Sequence, residues 1–359
     1  MGLLFVRVVV LLVAIRAGTG RPLEDDLERF RQIFLQPGVP YRDFVVEYAP
    51  LEVVLIRVLG SASEMASRVA MIAFLADIGS WVALRWGWDR ATALRYLWLG
   101  TPLLLFVYTR LDLVPVALAA WGAAMAMRRR ERLGGALLAA AILTKLWPVV
   151  LFPALWLERR SKAIWWAVSL TGIGIVFWGG IGGLSGIRDV FTFRGASGWG
   201  VESVPGSVVW ILTGGPVRLE SGAPRVGTVP AGATIVLALL LAVTSIAIWL
   251  RARQRATQGF GVASVAAVGA LLACAPLFSL QYVAWLLPWA AIAATEDRRQ
   301  FRVVAAIQIL TAILFVLYAP DRVMLSQIVL ALRNIAVVSL PILWLASTPT
   351  EVSTKGVRV

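Results

Sequence analysis

The sequence predicts an all-α, polytopic integral membrane protein. Three observations carry that reading. Of 359 residues, 59% are hydrophobic and only 15% are charged, against about 45–50% and about 25% in soluble domains. Mean hydropathy is +0.81. The apolar residues also fall into runs, and a helix needs about 17–25 of them to cross a bilayer.

The runs predict spans at 3–17, 66–86, 92–108, 111–127, 163–182, 231–250, 260–276, 282–295, 301–318 and 326–346. The first is short and carries Arg7. It has the size of a signal-peptide core, but no small-residue cleavage site stands out, so a retained span is expected. The stretch 134–157 is apolar except for Thr144-Lys145, and Pro148 follows. Basic clusters flank both of its ends, so a straight crossing would put one cluster outside. A re-entrant hairpin of two half-helices, turning near Lys145-Leu146-Trp147-Pro148, keeps both inside. Proline removes a helix donor there, and broken helices are tolerated where they line a cavity. The whole gives about 10–12 helices in a single domain, 1–349, with a cytoplasmic tail at 350–359.

Charge orients this arrangement. Lys and Arg number 34 against 20 Asp and Glu, a net charge of +14. The basic clusters Arg128–Arg132, Arg159–Lys162, Arg251–Arg255 and Asp297–Arg299 lie between apolar runs, where short cytoplasmic loops belong. This is the positive-inside signal, and no nucleic-acid partner is expected. Two long polar segments, 18–50 and 183–230, then fall outside. Loops of that length are usually functional or disordered, and their aromatic residues argue for order. Acid thus gathers outside and base inside.

Composition also excludes chemistry. The chain has no His and one Cys, Cys274. Ser-His-Asp hydrolysis, His-ligated zinc, internal disulfides and CxxC redox pairs are ruled out. A general base must therefore be a carboxylate. The segment Glu24-Asp25-Asp26-Leu27-Glu28 follows the first run. It reads equally as a helix start, with acids favoured by the dipole, or as a base held at the membrane surface.

Beyond it come Pro40-Tyr41-Arg42-Asp43-Phe44-Val45-Val46-Glu47-Tyr48-Ala49-Pro50, Tyr108-Thr109-Arg110-Leu111-Asp112-Leu113-Val114-Pro115, Lys145-Leu146-Trp147-Pro148, Val201-Glu202-Ser203-Val204-Pro205, Ser279-Leu280-Gln281-Tyr282 with Trp285, and Arg333-Asn334. In this order the pieces resemble the actinobacterial polyprenyl-phosphate-dependent glycosyltransferases of GT-C fold, the GT87 or DUF2029 group that includes mannosyltransferases of glycolipid synthesis. The likeness runs along nearly the whole chain. It departs at Ala49, Leu277 and Leu280, where the family has Pro, often Lys, and Pro.

The resemblance implies an integral membrane glycosyltransferase of the bacterial plasma membrane, with its active site on the extracytoplasmic face. It would move a monosaccharide, mannose first and arabinofuranose second, from a polyprenyl-phosphate donor to a glycolipid or cell-envelope glycan acceptor, with inversion. The family's base lies in a D-x-x-x-Y element matched by Asp26 to Phe30, so Asp26 is the first candidate, with Asp43 and Glu47 second. Donor phosphate falls to Lys145, Arg110, Arg194 and Arg333. Substrate binding falls to Tyr41, Arg42, Tyr48, Asp112, Glu202, Ser203, Gln281, Tyr282 and Trp285.

Two of these cations stand out on cost. A charge at a span centre costs about 2.5–3.5 kcal/mol on insertion scales, which marks Lys145 and Arg333 as functional or ion-paired. For Lys145 the alternative is snorkelling at a helix end. Asp77, within the second long run, is expected to pair with one of the cations. No cofactor and no metal are expected, because Lys and Arg can meet a single donor phosphate, although Asp25-Asp26 can hold a divalent cation through water. A membrane transporter or lipid flippase is the alternative function, favoured by the intramembrane charges.

Overall fold

The computed structural model describes residues 2–16, 24–60, 63–191, 196–220, 222–255, 259–317 and 323–347. Arg194, Asp321 and the tail at 350–359 lie outside these, as do the side chains of Glu24 and Asp25. The chain begins with helices α1 (Gly2–Arg16), α2 (Glu24–Leu35), α3 (Pro50–Leu59), α4 (Met65–Gly87), α5 (Arg90–Gly100), α6 (Leu104–Val107), α7 (Leu113–Met127), α8 (Glu131–Thr144), α9 (Phe152–Leu157) and α10 (Ser161–Phe191). Strand β1 (Trp199–Gly200), helix α11 (Val204–Thr213) and strands β2 (Arg218–Glu220) and β3 (Ala223–Val226) follow. The rest is α12 (Ala233–Arg255), α13 (Ser264–Cys274), α14 (Leu287–Ala293), α15 (Arg298–Leu317) and α16 (Val323–Ala346).

The protein is an all-α membrane protein. Among the described residues, five helices are long and apolar enough to cross a membrane: α4, α10 as far as Gly183, α12, α15 and α16. The other predicted spans are shorter or broken. The run 92–108 changes from α5 to a 3-10 turn at Thr101-Pro102, and 282–295 starts as a 3-10 turn over Leu280–Leu286 before α14. Proline at these junctions removes the donor that would continue the ladder.

Long and short helices have different places. α10 and α12 expose Phe177, Val176, Ile235 and Val243, as lipid-facing helices do. α7, α13 and α14 are buried along most of their length. The interior is therefore made of short pieces walled by long ones.

At Lys145 the chain leaves the helix for extended backbone. A 3-10 turn over Trp147–Leu151 and then α9 lead back. The Lys162 amide donates to Glu131 (3.1 Å), and Arg160 Nη2 donates to the Met127 carbonyl (3.4 Å). The two ends of the segment are thus side by side, with Lys145 at its far turn. α8 spans about 21 Å at 1.5 Å per residue, against about 34 Å for α4. The turn therefore stops well short of the reach of a full-length helix.

Small residues let these helices approach. A Cβ on Gly135 would stand 2.4 Å from the Ala163 carbonyl oxygen of α10, so only glycine fits this crossing. Close backbone approach through small residues is how helices pack where no water drives them together.

The basic clusters converge at one end of the bundle. Arg128 donates to the Trp86 carbonyl, Arg253 lies over Trp156, Arg255 reaches Ser347, and the Gly259 amide donates to Glu158. At the other end lie α2, α3, the starts of α7 and α11, and a three-stranded sheet of order β1-β3-β2. The pairs are antiparallel, with Trp199 opposite Val226 and Arg218 opposite Arg225. The sheet and α11 fill the polar segment 183–230, which sequence reading left without elements.

Asp77 pairs with Arg7 and with none of the predicted cations. Arg7 Nε lies 2.7 Å from Asp77 Oδ2. Tyr96 donates to Oδ1 and Tyr108 to Oδ2, both at 2.8 Å, while Arg7 also donates to the Leu97 carbonyl at 2.9 Å. Two phenols and a guanidinium thus hold one buried carboxylate inside the apolar bundle, which is what makes these charges tolerable there.

Candidate functional site

The segment 40–50 shows how the site is built. Gly38 and Tyr41 take left-handed backbone, with φ of 100° and 71°. The Val39 amide donates to Asp43 Oδ2 at 2.7 Å, and the Tyr41 amide to the Phe44 carbonyl at 2.9 Å. A tight turn results. It delivers the Tyr41 ring to α10, where it packs on Trp178 and over Gly182 and Gly186. A Cβ on Gly186 would stand 2.4 Å from Tyr41 Cβ, so the seat requires glycine. Tyr41 Oη then donates to the Tyr48 carbonyl at 2.7 Å, and Arg29 makes a two-pronged bond to Glu47 at 2.9 and 2.8 Å. These bonds fix Glu47 and Tyr48 on the wall of a cavity.

The cavity has a volume of about 600 Å³. Asp26, Glu47, Glu52, Asp112 and Lys145 supply its charged face, and Tyr282 and Trp285 its aromatic face. Leu146, Val149, Leu271 and Leu277 give it an apolar side, and Leu219, Gly222 and Ala223 of the β-hairpin also line it. Its floor is where the short helices stop: Asp112 begins α7, Lys145 ends α8, and Gln281 and Tyr282 open the 3-10 turn before α14.

The carboxylates are paired with cations, and Lys145 is shared by two of them. Arg110 Nε lies 2.7 Å from Asp26 Oδ2, which also receives Gln281 Nε2 at 3.4 Å. Lys145 Nζ lies 2.9 Å from Asp112 Oδ1 and 3.8 Å from Glu52 Oε1. Trp285 Nε1 donates to Asp112 Oδ1 at 3.1 Å. Lys145 also lies over the Tyr282 ring at 5.2 Å, a cation–π contact. Tyr282 stacks on Trp285 at 4.3 Å and Trp285 on Trp147 at 5.3 Å. The Asp26 side chain keeps 26% exposure while Arg110 keeps 8%, so the carboxylate faces the cavity and its partner stands behind it.

Sequence reasoning missed Glu52, which is 2% exposed on α3. Its Oε2 is buried without a hydrogen-bond partner. Burial pushes its carboxyl up to about 8, with Lys145 opposing the rise and Asp112, Asp26 and Glu47 adding to it. An acid at the third position of a helix that opens with Pro50 looks like ordinary dipole matching, and nothing local marks it. Arg29 was also missed, because its role lies wholly in its pairing with Glu47.

Several predicted residues stand elsewhere. Arg42 and Asp43 form an exposed ion pair at 2.9 Å, outside the cavity lining. The Arg42 guanidinium and the Val39 amide hold the Asp43 carboxyl below its ordinary range. Ser203 caps α11, its Oγ accepting from the Gly206 amide at 3.0 Å, the usual work of serine at that position. Glu202 Oε2 accepts from the Leu280 amide at 3.1 Å, and burial raises its carboxyl to about 7. Arg333 donates to the Glu202 carbonyl at 2.7 Å and lies 4.0 Å from the Phe278 ring centroid. Asn334 beside it donates to Ser207 Oγ at 2.7 Å. The Arg333-Asn334 pair thus ties α16 to the loop before α11 and stands behind the cavity wall. Tyr41 acts from outside the lining, through Tyr48.

Among the described residues, no group of three or more His, Cys, Asp or Glu side chains is placed to hold a metal ion. No family model matches the chain, and no curated protein matches its sequence.

Proposed function

We propose that this chain is an integral membrane glycosyltransferase. It moves a monosaccharide from a polyprenyl-phosphate donor to a glycolipid or cell-envelope glycan acceptor, with mannose the first choice of sugar and arabinofuranose the second. One observation carries the reading: Asp26, oriented by Arg110 at 2.7 Å, faces a cavity that also holds Lys145 and an aromatic stack. A general base, a cation for a leaving phosphate and a surface for a sugar ring share one space of about 600 Å³.

The step follows from these groups. Asp26 takes the proton of an acceptor hydroxyl as its oxygen attacks the anomeric carbon. The bond from that carbon to the phosphate oxygen breaks, and its electron pair leaves with the polyprenyl phosphate. Attack opposite the leaving group inverts the centre. Lys145 meets the charge that develops on the phosphate, a preorganised cation in a dry site. The apolar side at Leu146, Val149, Leu271 and Leu277 suits the first isoprene units.

That same pairing of polar and apolar walls favours a second reading, a lipid flippase or transporter. Purified protein given a polyprenyl-phosphate mannose and glycolipid acceptors is expected to release free polyprenyl phosphate. Translocation of the lipid across sealed vesicles with no sugar transfer would establish the second reading instead.

A further inference from the structure

Glu52 takes no part in that step, yet it is as enclosed as Asp112 in the wall of the cavity. Its partners are set by geometry. Oε1 faces Lys145 Nζ at 3.8 Å, and Oε2 has no hydrogen-bond partner. A buried polar atom without a partner costs about 1–3 kcal/mol, so the position asks for a ligand group.

The surroundings decide which kind. A cation at Oε2 would meet Lys145, already in place between Glu52 and Asp112. An anion would meet Asp112, Asp26 and Glu47, the acids whose fields reach Glu52. A neutral hydroxyl meets neither objection. It both donates and accepts, as a carboxyl group does when it holds its proton. The Tyr282 ring, backed by Trp285 and Trp147 and with Lys145 over it at 5.2 Å, lines the same cavity and adds an aromatic surface. One face of a sugar ring is apolar C–H and its rim is hydroxyl, which is the complement of this ring and this carboxyl.

We propose that Glu52 is a specificity-determining residue that binds one ring hydroxyl of a neutral sugar lying against Tyr282. This rests on the glycosyltransferase reading for the identity of the sugar-bearing substrate.

The test is a cycle between residue and ligand. Equilibrium binding of octyl mannoside and its 2-, 3-, 4- and 6-deoxy analogues is measured on the full chain in nanodiscs at pH 7. The wild-type protein should bind one deoxy analogue about 10- to 100-fold more weakly than the parent, the range for a hydrogen bond to a buried polar group. Glu52→Leu should lose that one discrimination and keep the others, and Glu52→Gln should keep part of it. A unimodal thermal transition in each variant separates this from misfolding. Unchanged discrimination in both variants overturns the proposal, as does absence of sugar binding by the wild type. Transfer from a lipid donor is assayed in parallel. Transfer with unaltered discrimination sinks the Glu52 role alone, whereas Glu52-dependent binding without transfer sinks the enzyme reading alone.

Discussion

Arg110 Nε lies 2.7 Å from Asp26 Oδ2, joining the first polar segment to the loop before α7. The motif residue at 110 therefore serves the carboxylate at 26. Asp26→Asn keeps shape and removes the base. It is expected to lower sugar transfer about 10²- to 10⁴-fold with donor binding retained. Asp43→Asn, on the exposed turn, should leave transfer near wild type. Initial-rate assays on both variants check this, and equal losses would remove Asp26 from the chemistry.

Lys145 is shared by Asp112 and Glu52 at 2.9 and 3.8 Å. Lys145→Met leaves the Asp112 carboxylate buried without its cation. Breaking a buried pair in this way costs about 3–5 kcal/mol. Adding Asp112→Asn should restore part of the loss, and a double-mutant cycle on thermal stability measures the coupling.

Glu52 makes stability depend on pH with a defined sign. Its carboxyl lies at about 8 in the fold against an ordinary 4.5, so the folded state holds the proton more tightly. Stability is then greatest below pH 4.5, falls as pH rises, and levels off above about 8. Lys145, Asp112, Asp26 and Glu47 face the group and are the same in the control variant. Between pH 6 and pH 9 the wild-type melting midpoint should fall by about 4 °C more than that of Glu52→Gln. Parallel curves would show that Glu52 is ionised throughout.

The Arg7–Asp77 pair sits within a closed network with Tyr96 and Tyr108. Arg7→Leu or Asp77→Asn alone should destabilise the protein by about 3–5 kcal/mol, and the double change by less. Melting curves in detergent report the difference.

The side-by-side ends of α8 and α10 predict a labelling pattern. In a Cys274→Ser background, single cysteines at Arg129 and Ser161 should react with an impermeant maleimide from the same side of a vesicle. A cysteine at Arg42 should react from the opposite side. Ser161 labelled together with Arg42 would refute the turn at Lys145.

Much of this was legible in one dimension. Hydropathy located α4, α10, α12, α15 and α16, because length and apolarity are properties of the chain alone. Lys145 and Arg333 stood out as charges that an apolar setting has to explain. The depth of the floor was not legible, since it depends on where Pro102, Pro148 and Pro288 end their helices in space. The partner of Asp77 was misjudged because a pair 70 residues apart leaves no local pattern. Glu52 was invisible for the opposite reason: its local pattern is ordinary, and only burial makes it unusual. Tyr41 and Ser203 stand outside the cavity lining, and a turn tyrosine and a capping serine look the same in sequence as residues that touch a ligand.

Arg7 and Asp77 also bear on how the protein is made. The ribosome delivers Arg7 long before its carboxylate, with 70 positions between them. Until Asp77 and then Tyr96 and Tyr108 emerge, the first helix carries an unmatched charge that hydrocarbon disfavours by about 2.5–3.5 kcal/mol. Helix α1 therefore has its full set of partners only once the chain extends to Tyr108, just past α6.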